Sequence, residues 1–328
     1  MLASVLGRHP EIFTFHELHF FEELWMPGKA DDIISAEAAS RMLFSLYHRQ
    51  RLGLHASIDE RRFADEIASV LNGLEGESLS PHSLYEHFLN SETSLHGKTI
   101  PCEQTPRNLF YAREILALFP GARILNLIRD PRDVLLSQKN KWKRRSFGNF
   151  GVSSREVRRL KLNYHPYTVS RLWNSSVGFS KRFEGHDRFY SVLFEDLVLN
   201  PEPEVRKICD FLGVSFQKDI LNIEHLSSSF QKSGTGEKGI NKSALLRWKK
   251  GGLTHEEMYI CQNLNHKLME NLGYEIVNDA KASMIKIVSL YIFLPLKIIT
   301  ALFLNFSRYR NLVESVFRRL GWGDTHRR

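Results

Sequence analysis

Cysteine is scarce in this chain. The 328 residues include three, Cys102, Cys209 and Cys261, and no two stand in a CxxC spacing. That pattern excludes a zinc ribbon or a disulfide scaffold, so no metal centre is expected and a reducing, cytoplasmic setting is. A GxxxxGK[ST] loop is also missing, and with it the Walker signature of a nucleotide kinase. There is no internal repeat, and no stretch reads as a secretory signal peptide. Acidic residues are the minority: 37 Asp and Glu against 45 Lys and Arg leave a net charge of +8. The excess suits an anionic ligand or an anionic surface without choosing between them. Nucleic-acid binding would rest on charge alone and is not expected. Long apolar runs are lacking, with one exception: Met284 to Phe306 is apolar over 23 residues apart from Lys286 and Lys297, with Pro295 in its middle.

What is present begins with an ordinary core. Hydrophobic residues make up 42% of the chain and charged residues 25%, enough for one large α/β domain or two small ones. The most informative stretch runs from Ile124 to Ser137. Ile124 to Ile128 is short and apolar, as a strand covered on both faces should be. Asp130 can cap a helix, and Pro131 suits its first turn, where a missing N–H costs nothing. The helix start offers free N–H groups and partial positive charge, Arg129 adds a guanidinium fork, and Ser137 returns to the helical face of Asp130. Together they can hold one phosphate. Arg129 paired with an Asp or Glu in a plain strand-to-helix turn is the alternative.

Helices and strands alternate through the first two thirds, which predicts an α/β fold. Helices are expected over Ser35 to Arg51, Ser57 to Leu74 (with Ser57 and Glu60 as a capping box), Ser80 to Asn90, Arg107 to Phe119, His165 to Phe183, Pro201 to Leu212 and Thr254 to Asn271. Strands are expected at Glu11 to Phe15, near Lys98 to Gln104 and at Arg188 to Phe194. The Ser-, Gly- and Lys-rich segment Ser227 to Gly252 is a loop of functional length.

Several of these segments carry a family pattern. The strand–arginine–helix unit resembles the 3′-phosphate motif of sulfotransferases that use 3′-phosphoadenylyl sulfate. Glu103-Gln104-Thr105-Pro106-Arg107, and later Phe119-Pro120-Gly121-Ala122-Arg123, resemble the segment preceding that motif. His9-Pro10-Glu11-Ile12 and His16-Glu17-Leu18-His19-Phe20-Phe21 resemble the catalytic-base segment of the heparan-type and protein-tyrosine sulfotransferases. Phe194-Glu195-Asp196-Leu197, Asn200-Pro201 and Phe211-Leu212-Gly213 match another signature, and Ser243-Ala244-Leu245-Leu246-Arg247-Trp248 fits the Trp segment after the substrate loop. The resemblance implies a P-loop-like α/β fold, a central parallel sheet flanked by helices, over residues 1–278. Residues 279–328 add an apolar and basic helical tail.

It also implies a reaction: transfer of a sulfuryl group from 3′-phosphoadenylyl sulfate to a hydroxyl or amine of a saccharide, lipid or other acceptor. Glu17 then matches the base, with His19 orienting it or the acceptor. Glu103 is a second candidate, as base, partner of an arginine or structural cap. Arg129 and Ser137 match the 3′-phosphate contacts. Phe194 stands where the family often stacks adenine, and Lys238 and Gly239 in the Gly-rich segment would close over the donor. The chain departs from the pattern twice. Gln104 replaces a lysine, and the sequence starts just after the place of the 5′-phosphosulfate loop, which suggests a truncated chain. A non-catalytic nucleotide-binding relative and a P-loop kinase-like enzyme are the alternatives. The Met284–Phe306 run has three possible placements: an interfacial helix at a membrane face, a helix buried against the domain or in a homodimer contact, and a membrane span.

Overall fold

Two parallel strand ladders anchor the chain. The computed structural model describes residues 1–26, 32–53, 59, 61–76, 79–143, 146–147, 150–151, 153–223, 239–278 and 281–305. The chain divides into two units, one built mainly from Met1–Pro120 and the other mainly from Gly121–Phe147, Gly151–Phe216 and the C-terminal part.

The first unit opens with α1 (Leu2–Leu6) and β1 (Ile12–Thr14). Gly7 ends α1 where a Cβ would lie 2.5 Å from Thr14 Oγ1, so only a glycine lets helix and strand approach this closely. Lys98 closes the helix end: its ammonium donates to the carbonyls of Gly7 (2.6 Å), His9 (3.0 Å) and Ile12 (2.7 Å). Helices α2 (Ala36–Arg51), α3 (Ala64–Gly73) and α4 (Pro81–Leu95) follow, then β2 (Ile100–Cys102) and α5 (Ala112–Leu118). Ser35 caps α2, and Ser80 with Ser83 forms a capping box on α4. β1 pairs with β2 in parallel, Phe13 opposite Pro101. A two-stranded ladder has a bare edge on each strand, where a proline's missing N–H is tolerated.

Two expected helices differ. The helix expected from Ser57 begins only at Ala64, because Arg61 to Phe63 form a turn that buries Phe63; Ser57 and Glu60 lie outside the described residues. The helix expected from Arg107 splits into a 3-10 turn, Pro106–Tyr111, and α5, because Asn108 bonds the Thr105 carbonyl three residues back.

The second unit holds β3 (Ile124–Ile128), α6 (Pro131–Lys139), the short strand β4 (Ser146–Phe147), α7 (Ser154–Asn163) and α8 (Pro166–Ser180), while the two residues of β5 (Phe150–Gly151) are divided between the units. Then come β6 (Phe189–Leu193), α9 (Phe194–Leu199), α10 (Pro201–Leu212), α11 (His255–Asn271) and α12 (Met284–Asn305). β3 pairs with β6 in parallel over five residues, Ile128 opposite Leu193. Their C-terminal ends therefore lie together, and the segments that follow, Arg129 and Phe194, leave from the same end of the ladder. Ile128 belongs to a core with Trp173, Val177 and Met269, which fixes β3 against α8 and α11. All three cysteines are free thiols.

Candidate functional site

Among the described residues, each unit carries one cluster of chemically capable side chains. In the first, the chain leaves β1 at Thr14 and reaches His19, whose backbone is left-handed (φ 51°, ψ 34°). A non-glycine residue held there costs of order 1–3 kcal/mol and persists only where its surroundings impose it. They do so here. The His19 N–H donates to Thr105 Oγ1 at 3.1 Å and the Leu18 N–H to Glu103 Oε1 at 3.0 Å. The π-turn Phe20–Leu24 then buries two rings, Phe20 stacked on Tyr85 at 3.9 Å and Phe21 on Tyr111 at 5.8 Å.

Glu103 is the clamp of this turn. Its two oxygens accept from the Leu18 N–H, the Thr105 N–H and hydroxyl, and the Asn108 amide. Burial raises its pKa, and the bonds from Thr105 and Leu18 work against that rise. With both oxygens engaged by these donors, Glu103 has no free oxygen to offer a substrate; it holds the backbone that carries Glu17 and His19. Gln104 acts nearby, donating to the Phe15 carbonyl at 2.7 Å.

Glu17 is the accessible carboxylate, with 55% of its side chain exposed, and His19 Nε2 lies 3.4 Å from its Oε2. The other ring nitrogen is 3.7 Å from Glu22 Oε2. Burial disfavours the imidazolium, but the bonds to Glu17 and Glu22 and the charge of Glu23 outweigh it and raise the pKa to about 9. His19 is therefore a cation at neutral pH: it can position a carboxylate or an acceptor but cannot take a proton. Ligand atoms of His19, Glu22 and Glu23 lie within 4.8 Å of one another. Arg107 already pairs with Glu22, and Arg49 with Glu23 at 2.7 Å, so the trio reads as an ion-pair network rather than a metal cage.

The second cluster sits at the end of β3. Asp130 caps α6, its carboxylate accepting the Arg132 N–H at 2.9 Å. Arg132 is buried; it donates from Nε and Nη2 to Asp130 (2.9 and 2.7 Å) and from Nη1 to the Glu275 carbonyl (2.7 Å), and its guanidinium lies 3.8 Å from the Trp248 ring centre. The Trp248 indole N–H donates to Asp130 at 3.1 Å, closing the unit. This arginine is a keystone that sequence reasoning passed over.

Arg129 is placed differently. Its carbonyl accepts from Trp173, while Nη2 donates to Asp133 at 3.0 Å and to the Ala244 carbonyl at 2.5 Å. Phe194, itself buried, lies under the guanidinium at 4.4 Å, so the ring expected to stack on adenine is in contact with the arginine. Arg129 Nε is buried without a hydrogen-bond partner among the described residues. Ser137 is half-buried one turn along α6 from Asp133. Gly239 has φ +104°, a conformation open only to glycine; Lys238 lies outside the described residues. A second arginine joins the cluster. Burial, and then the charge of Arg129, lower the pKa of Arg247, with Asp133 acting in the opposite sense. The preceding Leu246 is left-handed at φ 48°, so both left-handed non-glycine residues among those described border a cluster. Arg247 could not have been singled out from sequence, because its neighbour Arg129 is 118 positions away.

Comparison with known proteins bears on both clusters. A family profile described as "Sulfotransferase family" matches residues 1–218. Protein-tyrosine sulfotransferase of Drosophila melanogaster is 28% identical over 168 residues, which are 47% of this chain and 31% of that protein. Protein-tyrosine sulfotransferase 2 of Gallus gallus is 23% identical over 84% of this chain and 66% of its own length. The chain thus spans about a third to two thirds of the length of the curated relatives it matches. Among solved structures, the sulfotransferase domain of the Synechococcus PCC 7002 olefin synthase superposes with a TM-score of 0.50 at 18% identity, covering 84% of this chain and 90% of that domain. That likeness carries the fold: α/β, with parallel strands flanked by helices.

Proposed function

The chain belongs to the sulfotransferase family, and on that premise we propose that residues 1–278 transfer a sulfuryl group from 3′-phosphoadenylyl sulfate to a hydroxyl or amine of a saccharide, lipid or other small acceptor. The acceptor oxygen or nitrogen attacks sulfur and forms the new bond. The bond from sulfur to the bridging phosphate oxygen breaks, and 3′-phosphoadenosine 5′-phosphate departs with the electron pair. The acceptor's proton goes to Glu17, a general-base contribution of about 10²–10⁴-fold. His19 holds that carboxylate, and Glu103 holds the turn that carries both. Arg129, Arg247 and Ser137 bind the 3′-phosphate end of the nucleotide, and Lys238 and Gly239 close over the donor. A cytoplasmic setting, which the free thiols suit, completes the reading.

The observation that carries it is the arginine pair. The charge of Arg129 acts on Arg247, Asp133 pairs with Arg129 at 3.0 Å, and Arg129 keeps a buried Nε without a hydrogen-bond partner among the described residues. A phosphate would supply an acceptor for that Nε and an anion that favours both arginines in their charged form. Calorimetry tests this. 3′-Phosphoadenosine 5′-phosphate should bind more tightly than AMP, which lacks the 3′-phosphate, and Arg129→Ala should weaken it by about 1.5–3 kcal/mol. Equal affinity for the two nucleotides would sink the phosphate reading. For transfer, Glu17→Gln should slow turnover while leaving nucleotide affinity unchanged; undiminished turnover would move the base elsewhere.

A further inference from the structure

Helix α12 is apolar on the side that should meet water. Ile285, Val288, Ile292, Leu296, Ile299 and Phe303 are each between 50% and 83% exposed. Their spacing of three and four residues puts them on one face of the helix, over its whole length. An exposed apolar stripe this long marks an interaction surface.

The helix is fastened to its own unit at separate points, with Ile287 and Asn305 as its buried residues. Ile287 is buried near one end. Asn305, buried near the other, accepts from Arg159 and exchanges hydrogen bonds of 3.2 and 3.4 Å with Asn163 on α7. A His165 ring nitrogen lies 3.3 Å from the Leu290 carbonyl, Tyr291 meets Tyr167 edge-on at 5.5 Å, and Lys286 lies 3.8 Å from Glu256 on α11. Polar fastenings at both ends hold the helix lengthwise along the protein. A bilayer span would have to tear them away and carry Asn305 and Lys286 into or across hydrocarbon. By length and composition the helix could also cross a membrane, and these fastenings are what favour the flat placement.

Charge identifies the occupant of the outward face. Residues 281–328 contain nine Lys and Arg against two acidic residues, a net of +7, nearly all of the chain's +8. A basic segment joined to an apolar stripe complements an anionic lipid surface, where each basic residue raises partitioning by about fivefold. A second copy of the chain would bring the same excess of positive charge to the contact. We propose that α12 lies flat in the headgroup boundary of an anionic bilayer and docks this protein there as a peripheral, single-leaflet anchor. This inference stands independently of the sulfotransferase reading.

The experiment is co-sedimentation of the full chain with vesicles. Phosphatidylcholine vesicles containing about 30% phosphatidylglycerol should pellet the protein, and pure phosphatidylcholine should do so much less, with the difference shrinking as salt rises. Ile292→Glu combined with Leu296→Glu should cut binding by at least about tenfold. Both side chains point outward, so the thermal melt should be unchanged. Equal binding to both vesicle types, or none to either, overturns the proposal. So does a dimer, seen by sedimentation velocity without lipid, that the same double substitution dissociates. Resistance to alkaline carbonate extraction from cell membranes would replace the flat anchor with a span.

Discussion

His19 shows how one side chain ties stability to pH. It is held as an imidazolium with a pKa of about 9, against about 6.5 when the chain is unfolded. A raised folded-state value means that the stabilisation is fully present below pH 6.5 and is lost as the pH rises through 9. The size is on the order of 3 kcal/mol. Urea unfolding across pH 6 to 10 should show that decline, and His19→Gln should flatten it. Arg132 is the more severe case. Arg132→Met would strand the buried Asp130 carboxylate and empty the face of Trp248, at about 3–5 kcal/mol; a midpoint in denaturant unchanged from the parent would remove its keystone role. Neither effect could be read from the sequence in full. Glu17 and His19 were marked by family resemblance, but the charge state of His19 depends on Glu22 and Glu23 as well as on Glu17, and a one-dimensional reading passes those two by as part of an apolar stretch.

Elements were legible where their signals were local. The apolar run of β3, the Asp130 cap and the proline at the first turn of α6 lie within eight residues, and the structure has all three. The capped start of α11 at Thr254 is similarly short-range, whereas the capping box expected at Ser57 and Glu60 lies outside the described residues. Thr254→Ala should cost about 1 kcal/mol of stability by removing the acceptor for the Glu257 N–H, measurable in a thermal melt. The helix expected from Arg107 failed for a tertiary reason: Glu103 draws Asn108 and Thr105 into its own hydrogen bonds, and the chain tightens to 3-10 geometry around it. The part of the candidate site contributed by Arg247 was invisible for the same kind of reason. Its significance comes from β3 and the Trp segment meeting in space, and no local pattern encodes that meeting.

At the scale of the molecule, charge is distributed by function. With residues 281–328 carrying +7, the remaining 280 residues are close to neutral, at +1. Raising ionic strength should therefore weaken attachment to anionic lipid while leaving the fold's stability nearly unchanged, a contrast that parallel vesicle and unfolding measurements can read. The Asp130–Arg132–Trp248 unit has a further consequence, in time rather than in energy. Asp130 and Arg132 are neighbours, but Trp248 is 118 positions from Asp130, so the pair can find each other early while the indole must wait for most of the second unit to close. Trp248→Phe should accordingly speed unfolding and leave the folding rate nearly unchanged in stopped-flow experiments. The tryptophan is then a late latch, closing over a charge pair already in place, and it governs how long the molecule stays folded more than how soon it folds.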